Sequence, residues 1–77
     1  MTVTIKYFGL LAEITSCSEE RLEFSKASVS DLLDELFNKY PTLKDKDFQV
    51  AQNLEIVSKD AAITTNELAL LPPFSGG

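Results

Sequence analysis

The feature that most constrains this fold is a stretch of apolar residues spaced like one face of a helix. Between residues 29 and 40 they recur every three or four positions, as Val29, Leu32, Leu33, Leu36, Phe37 and Tyr40. That spacing puts them on one stripe of an α-helix, which is stable when the stripe is buried. Ser28 is a suitable N-cap, Asp31 is a weaker form of the capping-box acid, and Pro41 cannot continue the helix. We therefore predict one long amphipathic helix at residues 29–40.

The segments before this helix have the pattern of two strands and a short helix. Residues 2–8 alternate apolar and polar side chains, and Gly9 ends the strand. The inward-facing residues of this strand are Val3, Ile5 and Tyr7. Residues 10–14 have helical spacing, carried by Leu10, Leu11 and Ile14. After a polar turn at residues 16–18, we predict a second strand at residues 21–24, with Leu22 and Phe24 facing inward.

The segments after the helix indicate a loop and further strands. The sequence KDKD at residues 44–47 is typical of a solvated loop of mixed charge rather than of a metal site. Residues 50–57 resume strand character, with Leu54 and Ile56 on one face. Residues 64–67 are predicted to form a turn, and the apolar run at residues 68–71 is the final strand.

This order of elements favours one fold class. A single amphipathic helix needs one apolar sheet face to cover, which gives a two-layer α+β domain. The ubiquitin-like β-grasp fold, a mixed sheet packed on one long helix, satisfies this order within 77 residues. Its first and last strands lie side by side, in parallel, at the centre of the sheet, where a continuous apolar run is expected. We predict a β-grasp domain at residues 1–72 and an extended, flexible Gly-Gly tail at residues 73–77.

Composition narrows the range of partners. A chain of 77 residues is one small domain, and no apolar run has the roughly 18–20 residues that span a bilayer. The start, MTVTIKYF, does not resemble a secretory signal, and a single cysteine, Cys17, fits a reducing cytoplasm. With 12 acidic and 7 basic residues the net charge is −5, which argues against nucleic acid and suits a basic protein surface. We expect a cytoplasmic protein that binds neither nucleic acid nor a membrane.

The chain lacks the residues of an autonomous active site. It has no histidine, and Cys17 has no basic neighbour in sequence, so a surface or packing role is expected for this cysteine. Adjacent carboxylates at Glu19 and Glu20 point to opposite faces of a strand, and the three glycines form no phosphate-binding motif. Most aromatic residues are expected in the core, namely Tyr7, Phe8, Phe24, Phe37, Tyr40 and Phe48. No metal or cofactor is expected to bind this chain.

The chemistry is expected at the C-terminal sequence LLPPFSGG. Pro72 and Pro73 project the chain in an extended conformation, and Gly76 and Gly77 are slim enough for a narrow channel. The carboxylate of Gly77 is ionised at neutral pH and can attack the α-phosphorus of ATP, after which sulfur can displace AMP. The four residues from Phe74 reach about 13–14 Å, so another protein's buried site is accessible to Gly77. Phe74 and Ser75 are expected to contact that partner.

The whole chain resembles the small subunits of molybdopterin synthase, which are sulfur-carrier proteins of molybdenum-cofactor biosynthesis. The family ending PP-x-[ST]-GG is matched by Pro72, Pro73, Ser75, Gly76 and Gly77. KYFGLLAEI resembles the family segment YFA-x-x-RE through Tyr7, Phe8 and Glu13, and Asn53, Asp60 and Glu67 also fit. Ala12, where arginine is common, puts in doubt an ion pair with a partner. Thr65–Asn66, where Gly-Asp is common, suggests a different turn.

This resemblance implies a reaction cycle with three protein partners. A ubiquitin-activating-type enzyme adenylates Gly77 with ATP and magnesium, and a sulfur-donating protein supplies a cysteine-derived persulfide. The resulting thiocarboxylate inserts into the synthase large subunit and donates sulfur to cyclic pyranopterin monophosphate, which forms the molybdopterin dithiolene. The synthase is then a heterotetramer with the two small subunits outermost, and this chain is its sulfur-donating subunit, a sulfurtransferase component.

Two alternative functional hypotheses remain open. The chain is alternatively a sulfur carrier for thiamine synthesis or tRNA thiolation, or a ubiquitin-related modifier, although such carriers usually lack the Pro-Pro-x-Ser lead-in. It is otherwise a non-catalytic β-grasp interaction module, which would tolerate a blocked or extended C-terminus.

Overall fold

A computed structural model describes residues 2–25 and 28–73 of the chain. The strands are β1 (Thr2–Tyr7), β2 (Glu19–Glu23), β3 (Gln49–Gln52), β4 (Glu55–Val57) and β5 (Glu67–Leu71). The helices are α1 (Leu10–Thr15) and α2 (Val29–Lys39), followed by a 3₁₀ turn at Pro41–Asp45. The sheet order is β2-β1-β5-β3-β4, with β1 and β5 parallel and the other neighbours antiparallel. This is the mixed sheet of a ubiquitin-like β-grasp fold, with the first and last strands adjacent as predicted.

The core lies between one face of the sheet and α2. Val3, Ile5 and Tyr7 of β1 are buried there, which confirms the alternation predicted for this strand, and Leu68 and Leu70 of β5 are buried beside them. The buried residues of α2 are Val29, Leu32, Leu33 and Leu36, while Phe37 and Tyr40 pack partly buried against the same cluster. The helix has 11 residues, because Tyr40 is its C-cap rather than its last turn.

The start of α2 is capped as predicted. The Asp31 backbone amide donates to Ser28 Oγ at 3.2 Å, so Ser28 is the N-cap. The Ser28 hydroxyl in turn donates to Asp31 Oδ2 at 2.9 Å, so the acid pairs with the side chain of the cap. Pro41 begins the 3₁₀ turn, and Leu43 of that turn is buried. Residues 44–47 are exposed as expected, but Lys44 and Asp45 belong to this turn rather than to a loop.

The single strand predicted at residues 50–57 is wrong. The segment is a hairpin of β3 and β4, joined by Asn53 and Leu54 with φ of 52° and 63°. Two consecutive left-handed residues form the turn whose twist matches a two-stranded hairpin. Leu54 is therefore fully exposed at the turn rather than on a strand face, and Ile56 on the edge strand is also exposed.

Three smaller differences concern strand ends. β2 begins at Glu19, two residues before the predicted start, and Phe24 is buried directly after it while Leu22 is partly buried. Glu67, predicted in the preceding turn, is the first residue of β5. Phe8 was expected in the core but is nearly half exposed, because it follows buried Tyr7 and points to the other face.

Candidate functional site

The chain leaves the sheet from its central strand. β5 lies between β1 and β3, and it ends at Leu71. Pro72 follows, partly buried, and Pro73 is exposed. The other residues predicted to act in the tail, namely Phe74, Ser75, Gly76 and Gly77, lie outside the described residues. The structure thus locates the base of the predicted tail at the end of the strand with pairing partners on both sides.

An apolar groove lies beside this exit, on the face of the sheet opposite α2. Ala69 of β5 lies opposite Lys6 of β1 and Ala51 of β3, and Ala51 lies opposite Ile56 of β4. Directly opposed residues share a face of the sheet, so these four side chains lie side by side on one face. The small side chains of Ala69 and Ala51 leave a depression at the middle of the four. The groove has a volume of about 270 Å³. Its apolar lining consists of Phe8, Ala51, Leu54, Ile56, Leu68, Ala69 and Leu71.

The groove concentrates the apolar surface of the described part of the chain. Four large apolar side chains are exposed among the described residues, and three of them, Phe8, Leu54 and Ile56, line the groove. Contiguous exposed apolar surface of this kind marks an interaction site more often than single exposed residues do. The arrangement is suited to receive an apolar side chain of another protein.

An ion pair lies at the rim of the groove. Glu67 lines the groove, and its Oε1 lies 3.5 Å from Lys6 Nζ on β1. Both side chains are well exposed, so the pair contributes little to stability and is screened by salt. Its effect is to place a cation and an anion at the border of an apolar surface, where they orient an approaching partner.

A polar cluster on the core side of the sheet has a structural role. Glu20 of β2 accepts hydrogen bonds from the hydroxyls of Tyr7 and Tyr40, and Lys39 Nζ lies 2.6 Å from its Oε2. Burial and the hydrogen bond to Glu20 raise the pKa of Tyr7 and the pKa of Tyr40. Burial disfavours the Glu20 carboxylate, yet hydrogen bonds from Lys39, Tyr7 and Tyr40 together lower its pKa. The cluster ties β1, β2 and the end of α2 together.

The remaining candidate groups are Cys17 and the adjacent carboxylates Glu19 and Glu20. Cys17 is partly buried against the core, and its thiol donates to Thr15 Oγ1 at 3.6 Å, in keeping with a packing role. Glu19 is exposed whereas Glu20 is partly buried, as expected for neighbours on a strand. Within residues 2–25 and 28–73 no three acidic or cysteine side chains are grouped to hold a metal ion. None of the helices described is long and apolar enough to cross a bilayer.

The two positions that depart from the family pattern are well accommodated. Ala12 lies in α1 and packs partly buried against the core. Thr65 and Asn66 do not have positive φ, so the turn before β5 does not use the backbone conformation that glycine favours. The Asn66 carbonyl accepts from the Thr4 amide at 2.8 Å, which joins this turn to β1.

The groove was not predicted from the sequence, although the position of Phe8 indicated part of it. Phe8 is out of phase with Val3, Ile5 and Tyr7, so the alternation itself puts it on the other face. Leu54 and Ile56 were predicted on one face of a single strand, whereas the left-handed turn exposes Leu54 and the edge position of β4 exposes Ile56.

The chain matches known proteins over its whole length. Residues 5–77 match the family model of the ThiS family. SAMP1 of Haloferax volcanii is 30% identical, with 100% of both chains covered and a TM-score of 0.80. The small archaeal modifier protein 1 of Methanosarcina acetivorans is 26% identical, with 99% of this chain and 96% of that chain covered and a TM-score of 0.77.

A third match agrees in fold. A Pyrococcus furiosus protein assigned as molybdopterin converting factor, subunit 1, is 24% identical, with a TM-score of 0.86. The match covers 96% of this chain and 99% of that chain. At this identity the likeness establishes the shared β-grasp fold.

Proposed function

The chain belongs to the ThiS family of ubiquitin-like sulfur carriers, and we propose that it is the sulfur-donating small subunit of a molybdopterin synthase. The observation that carries the proposal is the junction of β5 with the sequence PPFSGG. The central strand of the sheet leads directly into two prolines and a Gly-Gly ending. In this proposal residues 1–72 are the β-grasp domain and residues 73–77 are the reactive tail.

The first step activates the end of the tail. A carboxylate oxygen of Gly77 attacks the α-phosphorus of ATP, and pyrophosphate leaves. A persulfide sulfur then attacks the acyl carbon, AMP leaves, and a second thiol cleaves the sulfur–sulfur bond by reduction to leave a thiocarboxylate. ATP and magnesium belong to a ubiquitin-activating-type enzyme, and the persulfide belongs to a sulfur-donating protein. This chain contributes the carboxylate and its delivery.

The second step uses the thiocarboxylate as a nucleophile. Its sulfur bonds to a carbon of cyclic pyranopterin monophosphate, which is bound by the synthase large subunit, and displaces oxygen from that carbon. Water then cleaves the acyl–sulfur bond, which leaves the sulfur on the pterin and restores the Gly77 carboxylate, and two rounds of transfer build the dithiolene. Pro72, Pro73, Phe74, Ser75 and Gly76 form the segment that the partner's channel receives. The assembly is a heterotetramer with the small subunits outermost, and the cycle takes place in the cytoplasm without nucleic acid or membrane.

We assign the apolar groove to contact with the adenylating enzyme. Leu71 lines the groove and Pro72 follows it, so a protein that takes up the tail must approach this face. The four residues after Pro73 reach only about 13–14 Å, which keeps the partner's active site close to the domain surface. The net charge of −5 favours a partner with a basic rim around the apolar side chain that fills the groove.

The comparisons also favour a second function for the same chemistry. Two of the similar proteins are small archaeal modifier proteins, one of them 30% identical to this chain. In a modifier, the activated Gly77 carbonyl is attacked by a lysine amine of another protein rather than by sulfur. The carriers of thiamine synthesis and tRNA thiolation differ instead in the acceptor of the sulfur. A non-catalytic interaction module differs from all of these because it needs no free C-terminus.

The test uses two tail variants with the purified adenylating enzyme and large subunit. Deleting Gly77, or adding one residue after it, is expected to abolish molybdopterin formation while the far-ultraviolet circular dichroism spectrum and melting temperature stay unchanged. Molybdopterin formation by the extended protein would contradict the proposal. Supplying cyclic pyranopterin monophosphate, a thiamine precursor or tRNA in parallel identifies the acceptor, and a mass increase of cellular proteins by one copy of the chain would indicate a modifier.

A further inference from the structure

The sheet ends on one side at β2. In the order β2-β1-β5-β3-β4, no strand of residues 2–25 and 28–73 lies beyond it. The edge of a sheet presents backbone amides and carbonyls with which an extended segment of another chain can pair. β2 has 5 residues, whereas β4 at the other edge has 3, so the β2 edge offers the longer pairing surface.

The hydrogen bonding between β1 and β2 shows which residues of β2 point outward. The Tyr7 amide of β1 donates to the Ser18 carbonyl at 2.9 Å, directly before β2 begins. Along an antiparallel strand, the backbone groups of successive residues point alternately toward the partner strand and away from it. By that alternation Glu20 bonds to β1 as Ser18 does. The amide and carbonyl of Glu19, and those of Arg21, therefore point away from β1.

The side chains along this edge alternate in charge. Glu19, Arg21 and Glu23 are exposed on the face opposite α2, while Leu22 is partly buried against the core. In an antiparallel neighbour, directly opposed residues share a face of the sheet and their side chains interact. A neighbouring strand is thus complementary when it carries a cation opposite Glu19, an acid opposite Arg21 and an apolar residue opposite Leu22.

We propose that the β2 edge is a docking site for another protein, which pairs an extended segment of the pattern apolar-acidic-any-basic antiparallel to β2. The outward backbone groups of Glu19 and Arg21 hold the segment, and the charges of the same two residues select it. The added strand lies three strand spacings, about 14 Å, from β5. It therefore leaves the end of β5 at Leu71 uncovered. The inference does not rest on the chemistry of Gly77, since it concerns the opposite side of the sheet.

Protection against self-pairing is a competing explanation for a charged edge. In an antiparallel pair of two copies centred on Arg21, this arginine would oppose itself and Glu19 would oppose Glu23, so that register is repelled. In the next allowed register, however, Glu19 opposes Arg21 and the two attract. A row of one sign would repel every register, so alternating signs protect incompletely. They are better suited to selecting a partner with the complementary row.

The test is the binding of two synthetic peptides to the isotope-labelled full chain, followed by NMR. The first peptide, TVTIDTKVT, has the complementary pattern. The second, TVTIKTDVT, exchanges the acid and the base, so its composition and net charge are the same. We expect the chain to bind the first peptide about tenfold more tightly, with slowed hydrogen exchange at the amides of Glu19 and Arg21. The preference should weaken at high salt, because these charges are exposed.

Two variants, each checked for folding by circular dichroism, test the role of the charges. E19K/R21E carries the exchanged charges at the edge, so it should prefer the second peptide. E19Q/R21Q has neither charge and should bind the two peptides alike. If E19K/R21E does not fold, E19Q/R21Q alone decides, because a preference that survives in it cannot come from these side chains.

Three results would overturn the docking site. The first is that wild type binds both peptides equally, or binds neither at millimolar peptide. The second is that the chemical shift changes are confined to β4 and the groove, which would place the peptide at the other edge. The third is that exchange at the Glu19 and Arg21 amides slows as the concentration of the chain alone is raised, which would identify a second copy as the occupant.

Discussion

The ammonium of Lys39 lies 2.6 Å from the carboxylate of Glu20, and this contact joins the last turn of α2 to the edge strand β2. Glu20 also accepts from the hydroxyls of Tyr7 and Tyr40, whose rings meet edge to face at 6.3 Å. One carboxylate on β2 therefore satisfies three donors, one from β1 and two from the end of α2. Because about half of the Lys39 side chain is exposed, solvent screens the ion pair and limits its contribution to stability. The hydrogen bonds from the two tyrosines therefore provide most of the stabilisation.

The pH dependence of stability should reflect this cluster. The pKa of Glu20 is lowered by folding, so its contribution is present above the ordinary value of 4.5 and is lost as pH falls through the folded value. Folding raises the pKa of Tyr7, Tyr40 and Lys39, so their contribution is present below pH values near 10 and is lost as pH rises further. Urea unfolding measured across pH should show a plateau between these limits.

The variant E20Q separates this cluster from other carboxylates. It keeps an acceptor for the tyrosine hydroxyls but cannot titrate, so the loss of stability on acidification should be smaller than in wild type. E20A should lower the free energy of unfolding by about 1–3 kcal/mol at neutral pH, because the Tyr7 hydroxyl is left buried and unpaired. An acid-side slope in E20Q equal to that of wild type would show that Glu20 is not responsible.

Gln52 should hold the long connection before β5 in place. Its side chain is buried, Nε2 donates to the Ala62 carbonyl at 2.9 Å, and Oε1 accepts from the Thr64 amide at 3.1 Å. Q52L should lower the free energy of unfolding by about 1–3 kcal/mol, because both backbone groups lose their partner. Hydrogen exchange at the Thr64 amide should accelerate.

Q49L is the matched control for this change, since Gln49 is an exposed residue of the same strand. It should leave Thr64 protection and stability nearly unchanged. Unchanged protection of the Thr64 amide in Q52L would mean that the connection is held by other contacts.

The groove should contribute to binding of the adenylating enzyme. I56D places a charge in the groove and should weaken that binding by about tenfold or more, since a buried apolar contact at the centre of an interface often contributes that much. L10D is the matched control, because Leu10 is 53% exposed and Ile56 is 54% exposed, and Leu10 does not line the groove. An acid at the first residue of α1 is also compatible with the helix.

Isothermal titration calorimetry with the adenylating enzyme measures both variants. Wild type and L10D should bind alike, and I56D should bind weakly while its circular dichroism spectrum stays that of the wild type. Equal losses in I56D and L10D would indicate a general effect of surface charge, and no loss in I56D would remove the groove from the interface.

Elements with strong periodicity could be predicted from the sequence. The stripe from Val29 to Leu36 and the alternation of Val3, Ile5 and Tyr7 each follow one rule, because the buried face of a helix or strand repeats at a fixed period. The β3–β4 hairpin could not be predicted from the sequence, because its turn lacks the glycine that usually indicates a hairpin turn. Asn53 and Leu54 adopt positive φ in a context that pairing of the flanking strands imposes.

The reactive tail and the groove also differ in how far they can be predicted from the sequence. The tail is a contiguous motif, so its chemistry can be interpreted from PPFSGG alone. The groove brings together Phe8, Ile56 and Leu71 from distant parts of the sequence. Such sites depend on strand order and register, which local patterns do not specify.

The central claim is that the C-terminus of Gly77 becomes a thiocarboxylate. Intact-protein mass spectrometry of the full chain, after incubation with ATP, magnesium, a persulfide donor and the adenylating enzyme, measures this directly. We expect a mass increase equal to the exchange of one oxygen for sulfur, located at Gly77 by fragmentation and absent when ATP is omitted. The claim would be contradicted if the mass stays unchanged while the adenylating enzyme is shown to be active on its own substrate. It would also be contradicted if the added sulfur is located at Cys17 instead of Gly77.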